Sequence, residues 1–255
     1  MIRKLQQWNG AGNDFLVDVD TDENLAHWTA EAASAACDRS TGLGADGLLL
    51  ASLRGETLGM KLFNSDGSVA EMSGNGIRCL VAAAHRATTA TWTEVNVETD
   101  AGARVVTLNL NGVSGTGSAW MGHVRIDEPL PGTLGVANVG NPHVVVADDE
   151  SWSVEERTAR AEALADQMGG ANVEFVTIIH PARVVIKVHE RGVGWTQACG
   201  TGSVATAAVL HALGQTGERI VVENPGGELI VSLGPDGATL GGPVEFERDV
   251  EWTLA

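Results

Sequence analysis

The sequence predicts an α/β (α+β) fold of two pseudo-symmetric domains, and three observations carry that prediction. The chain has 255 residues, room for two medium domains or one large one with a substantial core. Its 44% hydrophobic and 19% charged content is that of an ordinary globular protein. Short motifs also recur in one order at a nearly constant spacing, as an internal duplication would leave them.

The duplication is clearest at SGNGIRCLVAAAHRA (73–87) and CGTGSVATAAVLHAL (199–213), which lie 126 residues apart. Each reads as a small nucleophile, Gly, Asn or Thr, Gly, then an Ala-rich apolar helix. GNDF at 12 and GNPH at 140 are 128 apart, FNSDG at 63 and HERGV at 189 are 126 apart, and TDAG at 99 and NPGG at 224 are 125 apart. Four matches in one order indicate two structurally alike halves related by a pseudo-dyad.

Taken in order, each half reads strands, one good helix, then strands. GMKLFNSDG and PARVVIKVHERG are β-branched or apolar and bounded by turns. A helix starts at each small-Gly-x-Gly motif, and Gly214 sits where a C′ glycine would end the second one. TEVNVETDAGARVVTLNL and ERIVVENPGGELIVSL follow as strand pairs, with TDAG and NPGG as their turns. Shorter helices are expected over 24–38 and 153–168. The boundary is expected near the Gly/Ser-rich, aperiodic residues 111–119, giving halves of 1–115, completed by the last strand at about 246–255, and 116–245.

Composition excludes several function classes. With 33 acidic against 16 basic residues, a net charge of −17 opposes binding to nucleic acid or an anionic membrane. No apolar run approaches the length of a bilayer span, and the N-terminal residues hold no apolar core of signal-peptide length, so the expected location is cytoplasmic. Three scattered cysteines fit reduced thiols, and Cys37 and Cys79 read as small buried apolar residues. The seven histidines form no HExxH pattern, so no metal site is expected. The three lysines, Lys4, Lys61 and Lys187, sit in mostly strand-like contexts unlike a Schiff-base site.

The helix starts carry the chemistry. The first N–H groups of a helix lack intrahelical partners and lie at the positive end of its dipole, and glycines let an anion reach them. A cysteine placed there is expected to ionise more readily than a free thiol, whose pKa is about 8.5. Cys199 before Gly200 and Thr201 is thus a candidate reactive thiol with a carboxylate cradle, matched by Ser73 before Gly74 and Asn75. A pseudo-dyad facing these starts across a cleft would put acid/base groups on both sides of one carbon, the arrangement for racemisation or epimerisation without a cofactor.

WNGAGNDF, CDRSTGLGADG, FNSDGSVAEM-SGNGIRC, VGNPHVVV, ANVEFV, ERGVGWTQACGTGS and PGGELIV, in order and over nearly the whole chain, resemble the diaminopimelate epimerases. The resemblance implies two similar domains, each a mixed sheet or barrel wrapped round a central helix, with the active site between them. It implies interconversion of LL- and meso-2,6-diaminopimelate for lysine and peptidoglycan synthesis, in a homodimer without pyridoxal phosphate or metal. Carried over by motif, Asn13, Asn64, Asn141 and Asn172 resemble substrate-binding asparagines, and Glu190 and Arg191 resemble the pair that reads the distal ammonium and carboxylate. Gly74-Asn75 and Gly200-Thr201 match the two cradles, while His143 and Glu190 match groups that tune the catalytic cysteines.

One departure touches the chemistry. The family has a second catalytic cysteine where this chain has Ser73, and a hydroxyl is a far weaker acid than a thiol. The readings left open are an epimerase with impaired or modified proton transfer, its Ser73 natural or an engineered replacement of the cysteine, a related proline-derivative epimerase or dehydratase, and a non-catalytic amino-acid-binding protein. Two smaller departures are Trp195, where the family often has a polar residue, and Gly47, which offers a ligand no side chain.

Overall fold

The computed structural model describes residues 1–20, 27–88 and 92–254. The chain divides into two compact units, one of residues 1–119 with 242–255 and the other of residues 120–241.

Unit 1 contains β1 (Ile2–Gly10), β2 (Asn13–Asp20), α1 (Ala30–Cys37), β3 (Gly47–Arg54), β4 (Thr57–Asn64), β5 (Val69–Ala70), α2 (Gly74–Ala87), β6 (Glu94–Thr99) and β7 (Gly102–Asn111). It also takes most of β8 (Ser114–Gly122). The β1–β2, β3–β4, β6–β7 and β7–β8 pairs are antiparallel, whereas β2–β3 and β4–β6 are parallel and joined through α1 and α2. Unit 2 repeats this plan. After β9 (Arg125–Asp127) come β10 (Gly135–Asn138), β11 (Pro142–Ala147), α3 (Val154–Gln167), β12 (Asn172–His180), β13 (Arg183–Glu190), β14 (Gly194–Thr196), α4 (Gly200–Ala212), β15 (Arg219–Asn224), β16 (Gly227–Gly234) and β17 (Gly237–Thr253). Here β10–β11, β12–β13, β15–β16 and β16–β17 are antiparallel, and β11–β12 and β13–β15 are parallel. Strand for strand, the senses match those of unit 1, so the duplication read from spacing is a duplication of topology. The last stretch of β17 belongs to unit 1, where it pairs with β1 from Ile2↔Thr253 to Asn9↔Glu245.

Each unit curls its strands round one helix, α2 or α4, that is apolar on nearly every side. Such a helix must be enclosed, and every residue from Gly74 to Ala84, and from Gly202 to Leu210, is buried. Small side chains let the strands approach. A Cβ added to Gly10 would stand 2.9 Å from Cys79 Sγ, and one added to Gly135 would stand 2.7 Å from Val209 Cγ1. The amphipathic helices α1 and α3 cover the outside, α1 through Ala33, Ala36 and Cys37 against Leu16, Leu48 and Phe63, and α3 through Ala161 against Val136, Val144 and Phe175.

Helix boundaries follow their caps. Ser153 caps α3 in a capping box with Glu156, and α4 ends on Gly214 at φ 69°. Of the helix expected over 24–38, the structure has Ala30–Cys37, capped by Thr29; residues 24–26 lie outside the described residues. Residues 111–119 are not aperiodic. They form a tight turn, with Gly112 at φ 71°, followed by β8, whose glycines make room for neighbours: a Cβ at Gly117 would meet Leu108 Cδ2 at 3.1 Å and Arg78 Cβ at 3.3 Å. No helix among the described residues is long and apolar enough to cross a membrane.

Candidate active site

The two helix starts are built alike. Ser73 is the N-cap of α2, with extended backbone at φ −133° and ψ 125°, and its Oγ accepts a 3.0 Å bond from the Gly76 N–H. Cys199 is the N-cap of α4 at φ −126° and ψ 112°, and its Sγ accepts from the Gly202 N–H at 3.3 Å. A cap side chain satisfies one of the orphan donors of the first turn. In both units, then, the nucleophile-type atom is held by the helix it precedes.

What surrounds each cap differs. In the parallel registers, Phe15 faces Gly47 in unit 1, while His143 faces Asn172 in unit 2. Two residues further on, Leu49 and Glu174 are equivalent, and the helices confirm it: a Cβ on Gly76 would meet Leu49 Cδ2 at 3.4 Å, and one on Gly202 would meet Glu174 Oε1 at 2.5 Å. Unit 2 has thus exchanged an apolar lining for a polar one. His143 and Glu174 are wholly buried, joined Nδ1 to Oε1 at 2.7 Å, and His143 Nε2 lies 2.9 Å from Asn141 Oδ1. Asn141 Nδ2 donates to Thr201 Oγ1 at 3.5 Å, and that hydroxyl lies 3.5 Å from Cys199 Sγ. A chain of polar groups therefore runs from Glu174 to the thiol.

Glu190, at the end of β13, accepts a 2.6 Å hydrogen bond from the Thr196 hydroxyl. Burial raises its carboxyl above the ordinary carboxylate range, with the Glu174 charge adding to the rise. Asn224 accepts from the Cys199 N–H at 3.3 Å and donates to the Ser203 hydroxyl at 3.2 Å, bracing the cap from below. The thiol itself corrects the expectation from sequence. Burial, then the charges of Glu190 and Glu174, push Cys199 well above the usual thiol range, and the Thr201 hydroxyl and Gly202 amide offset only part of this. A helix N-terminus favours a thiolate, but two carboxylates in a dry site win.

Arg191 is exposed; its backbone N–H donates to Asn172 Oδ1 at 2.9 Å, and its side chain runs over Gly170, where a Cβ would meet Arg191 Cδ at 2.9 Å. Trp195 donates its indole N–H to Thr158 Oγ1 at 2.9 Å and stacks at 5.8 Å from Phe175, tying β14 to α3 and β12. Unit 2 therefore brings Asn141, His143, Thr201 and Cys199 into one network, links Asn172 to Arg191, and sets Glu190 near enough for its charge to act on the thiol.

In unit 1 the expected residues Asn13 and Asn75 are also joined. Asn75 Nδ2 donates to Asn13 Oδ1 at 2.7 Å, and Asn13 Nδ2 donates to Asp46 Oδ2 at 3.2 Å. Asp46 in turn shares Arg39 with Asp14. Asn64 stands apart from this network, exposed, with its amide donating to Ser68 Oγ at 2.9 Å. Gly47 has no room for a side chain, since a Cβ would come within 2.8 Å of Phe63 O. Cys37 and Cys79 are buried, and desolvation pushes both thiols up to about 12, as inert core cysteines require.

Sequence reasoning missed Glu174, Asn224, Arg78 and Asp46. Glu174 left a signal: an acid in the apolar run ANVEFVTII shares the face of Asn172, two residues away. Asn224 was read only as part of a turn.

A family model described as diaminopimelate epimerase matches residues 8–125 and 135–248. The chain is 35% identical over 272 residues to a diaminopimelate epimerase of Desulforudis audaxviator, covering 97% of this chain and 98% of that protein. It is 37% identical over 273 residues to one from Methanocella arvoryzae, covering 97% and 96%. Among solved structures, a Pseudomonas aeruginosa protein described as a predicted epimerase aligns with TM-score 0.76 at 16% identity, over 99% of this chain and 100% of that one. A hydroxyproline epimerase from Agrobacterium vitis, bound to trans-4-hydroxy-L-proline, aligns with TM-score 0.75 at 16% identity, over 99% and 93%. At such identities the solved structures establish the shared fold. The sequence matches span both halves of the repeat, and this chain belongs to the diaminopimelate epimerase family.

Proposed function

We propose that the chain is a cofactor-independent epimerase that interconverts LL- and meso-2,6-diaminopimelate through the proton on one α-carbon. The observation that carries this reading is Cys199, a buried thiol capping α4, with Glu190, Glu174 and His143 arranged around it in a member of this family. In this reading the helix starts at Gly74-Asn75 and Gly200-Thr201 hold the α-carboxylate. Asn13, Asn64, Asn141 and Asn172 hold the substrate's remaining polar groups, and Glu190 and Arg191 meet its distal ammonium and carboxylate. A bidentate guanidinium suits a carboxylate, and neutral amides hold a zwitterion without competing for the moving proton.

The raised thiol supports a reading in which Cys199 is the proton donor at rest. In the direction it serves as acid, a base takes the α-proton from one face, the electron pair spreads into the carboxylate, and Cys199 Sγ–H returns a proton to the other face. The thiolate left behind regains a proton from water, with the Thr201 hydroxyl and the Gly202 amide holding its charge meanwhile. Ser73 is the weak partner, because its hydroxyl passes a proton only when a base accepts it. Family membership also supports a cytoplasmic homodimer acting in lysine and peptidoglycan precursor synthesis, which sedimentation and cell fractionation would test.

Incubation with LL-diaminopimelate in D₂O tests the reading. An epimerase incorporates deuterium at the α-carbon and forms the meso isomer. Exchange with retained configuration would reduce it to a one-base enzyme, and no exchange would overturn it. Ser73 favours one competing reading, a protein that has left diaminopimelate turnover for another amino acid; exchange into a hydroxyproline but not into diaminopimelate would establish that instead.

A further inference from the structure

Arg78 is a charged residue that the repeat does not duplicate: where α2 carries it, α4 carries Val204, 126 residues later. Its side chain is wholly buried, yet among the described residues it joins none of the ion pairs. Nη1 donates to Gly74 O at 2.7 Å and Nη2 to Asn75 Oδ1 at 3.0 Å, while Nε is buried without a partner. The guanidinium thus folds back along the helix to its first turn, the direction in which helical side chains lean. β8 accommodates its stem at Gly117, where any side chain would intrude. Desolvation without a counter-ion holds the group down to about 10. A cation kept in so costly a place requires a use, since an apolar residue fills the same place in α4.

The hydrogen bonds indicate the use. Arginine has only donors and an ionised aspartate only acceptors. Between Arg78 and Asp46 lie the two amides, Arg78 to Asn75, Asn75 to Asn13 and Asn13 to Asp46, at 3.0, 2.7 and 3.2 Å. Donor and acceptor ends fix the sense of every link, so neither amide can turn over without breaking two bonds. In that sense each amide nitrogen keeps one N–H beyond the chain, and a carboxylate needs donors.

We propose that Arg78 is a positioning residue for the unit 1 half of the site, locking Asn75 and Asn13 with spare N–H groups directed to a carboxylate and setting a permanent cation at the first turn of α2. This deepens the reading in which the α2 start holds an amino-acid carboxylate, and rests on it. The two helix starts then have opposite characters, one carrying a fixed cation beside Ser73 and the other a thiol among carboxylates.

The test uses the full-length chain and variants Arg78→Gln, Arg78→Lys and Asn75→Ala. Side-chain amide resonances of Asn13 and Asn75 are followed by ¹H–¹⁵N NMR without substrate, with Asn64 as the internal control. Arg78→Gln is expected to shift or broaden both resonances and leave Asn64 unmoved; Asn75→Ala is expected to move Asn13 with Arg78 in place. In the exchange assay kcat/KM falls at least about tenfold in Arg78→Gln and recovers in part in Arg78→Lys, and adding Asn13→Ala to Arg78→Gln multiplies the loss by less than Asn13→Ala alone. Unmoved Asn13 and Asn75 resonances in a folded Arg78→Gln protein, or fully multiplicative losses, would overturn the proposal. If Arg78→Gln does not fold, the Asn13 response in Asn75→Ala decides. Because the resonances need no turnover, a wild-type chain inactive on diaminopimelate defeats the functional reading and leaves the relay to be judged separately.

Discussion

Glu174 Oε1 lies 2.7 Å from His143 Nδ1 with both side chains wholly buried, and the same oxygen would stand 2.5 Å from a Cβ placed on Gly202. The glycine in the second helix start is therefore as much a consequence of Glu174 as of any ligand.

Gly202→Ala is expected to destabilise the protein by about 1–3 kcal/mol, the usual range for overpacking a close-packed interior. Gly76→Ala is expected to cost less, since its nearest neighbours would be Ser73 Cβ at 3.1 Å and Leu49 Cδ2 at 3.4 Å. Urea midpoints of the two variants check the order, and a larger loss at Gly76 would contradict it.

Removing one of the charges that oppose the thiolate should make Cys199 ionise at lower pH. The sign follows from the cause: Glu190 and Glu174 raise the thiol, so Glu190→Gln or Glu174→Gln lowers it. The pH profile of iodoacetamide alkylation at Cys199, read by peptide mass spectrometry, measures the midpoint.

Ser73 has a structural role as the cap of α2 and, in the proposed function, a separable chemical one. As a cap it accepts from the Gly76 N–H, so Ser73→Ala is expected to cost about 1 kcal/mol of stability. In the proposed function its hydroxyl stands in for a second catalytic thiol, so on that reading Ser73→Cys is expected to raise kcat for epimerisation at least about tenfold. Unchanged kcat would show that the hydroxyl is not the limiting defect.

Alkaline stability should follow the buried thiols. Cys37 and Cys79 are pushed up to about 12 in the folded protein, so they keep their protons where the unfolded chain, with thiols near about 8.5, has lost them. Their contribution is whole below about 8.5 and is lost as pH rises towards about 12, at up to about 1.4 kcal/mol per unit for each thiol. Urea unfolding between pH 8 and 11 should show the fall, and Cys37→Ala should flatten it.

Much of this molecule was legible in its sequence because the repeat is written twice. The spacing between SGNG and CGTG fixed two equivalent helices, and the strand pattern around them gave the neighbouring elements. The turn after β7 and the strand β8 were hidden because Gly115 and Gly117 make room for neighbours, and glycine-rich strands look like loops. Motif likeness drew attention to Asn13, Asn75, Asn141 and His143, which the fold joins in hydrogen-bonded networks. It could not disclose the thiol's ionisation, because the helix dipole is local in sequence while Glu174 and Glu190 come from other strands. Nor could it disclose Arg78, whose burial depends on the room left at Gly117.

The pairing of β1 with the last stretch of β17 has a consequence for biosynthesis. Unit 2 is complete once residue 241 has been made, but unit 1, whose strands are made first, lacks an edge until residues 242–253 follow. Until then the flank of β1 stays open for a chaperone or a neighbouring nascent chain to meet.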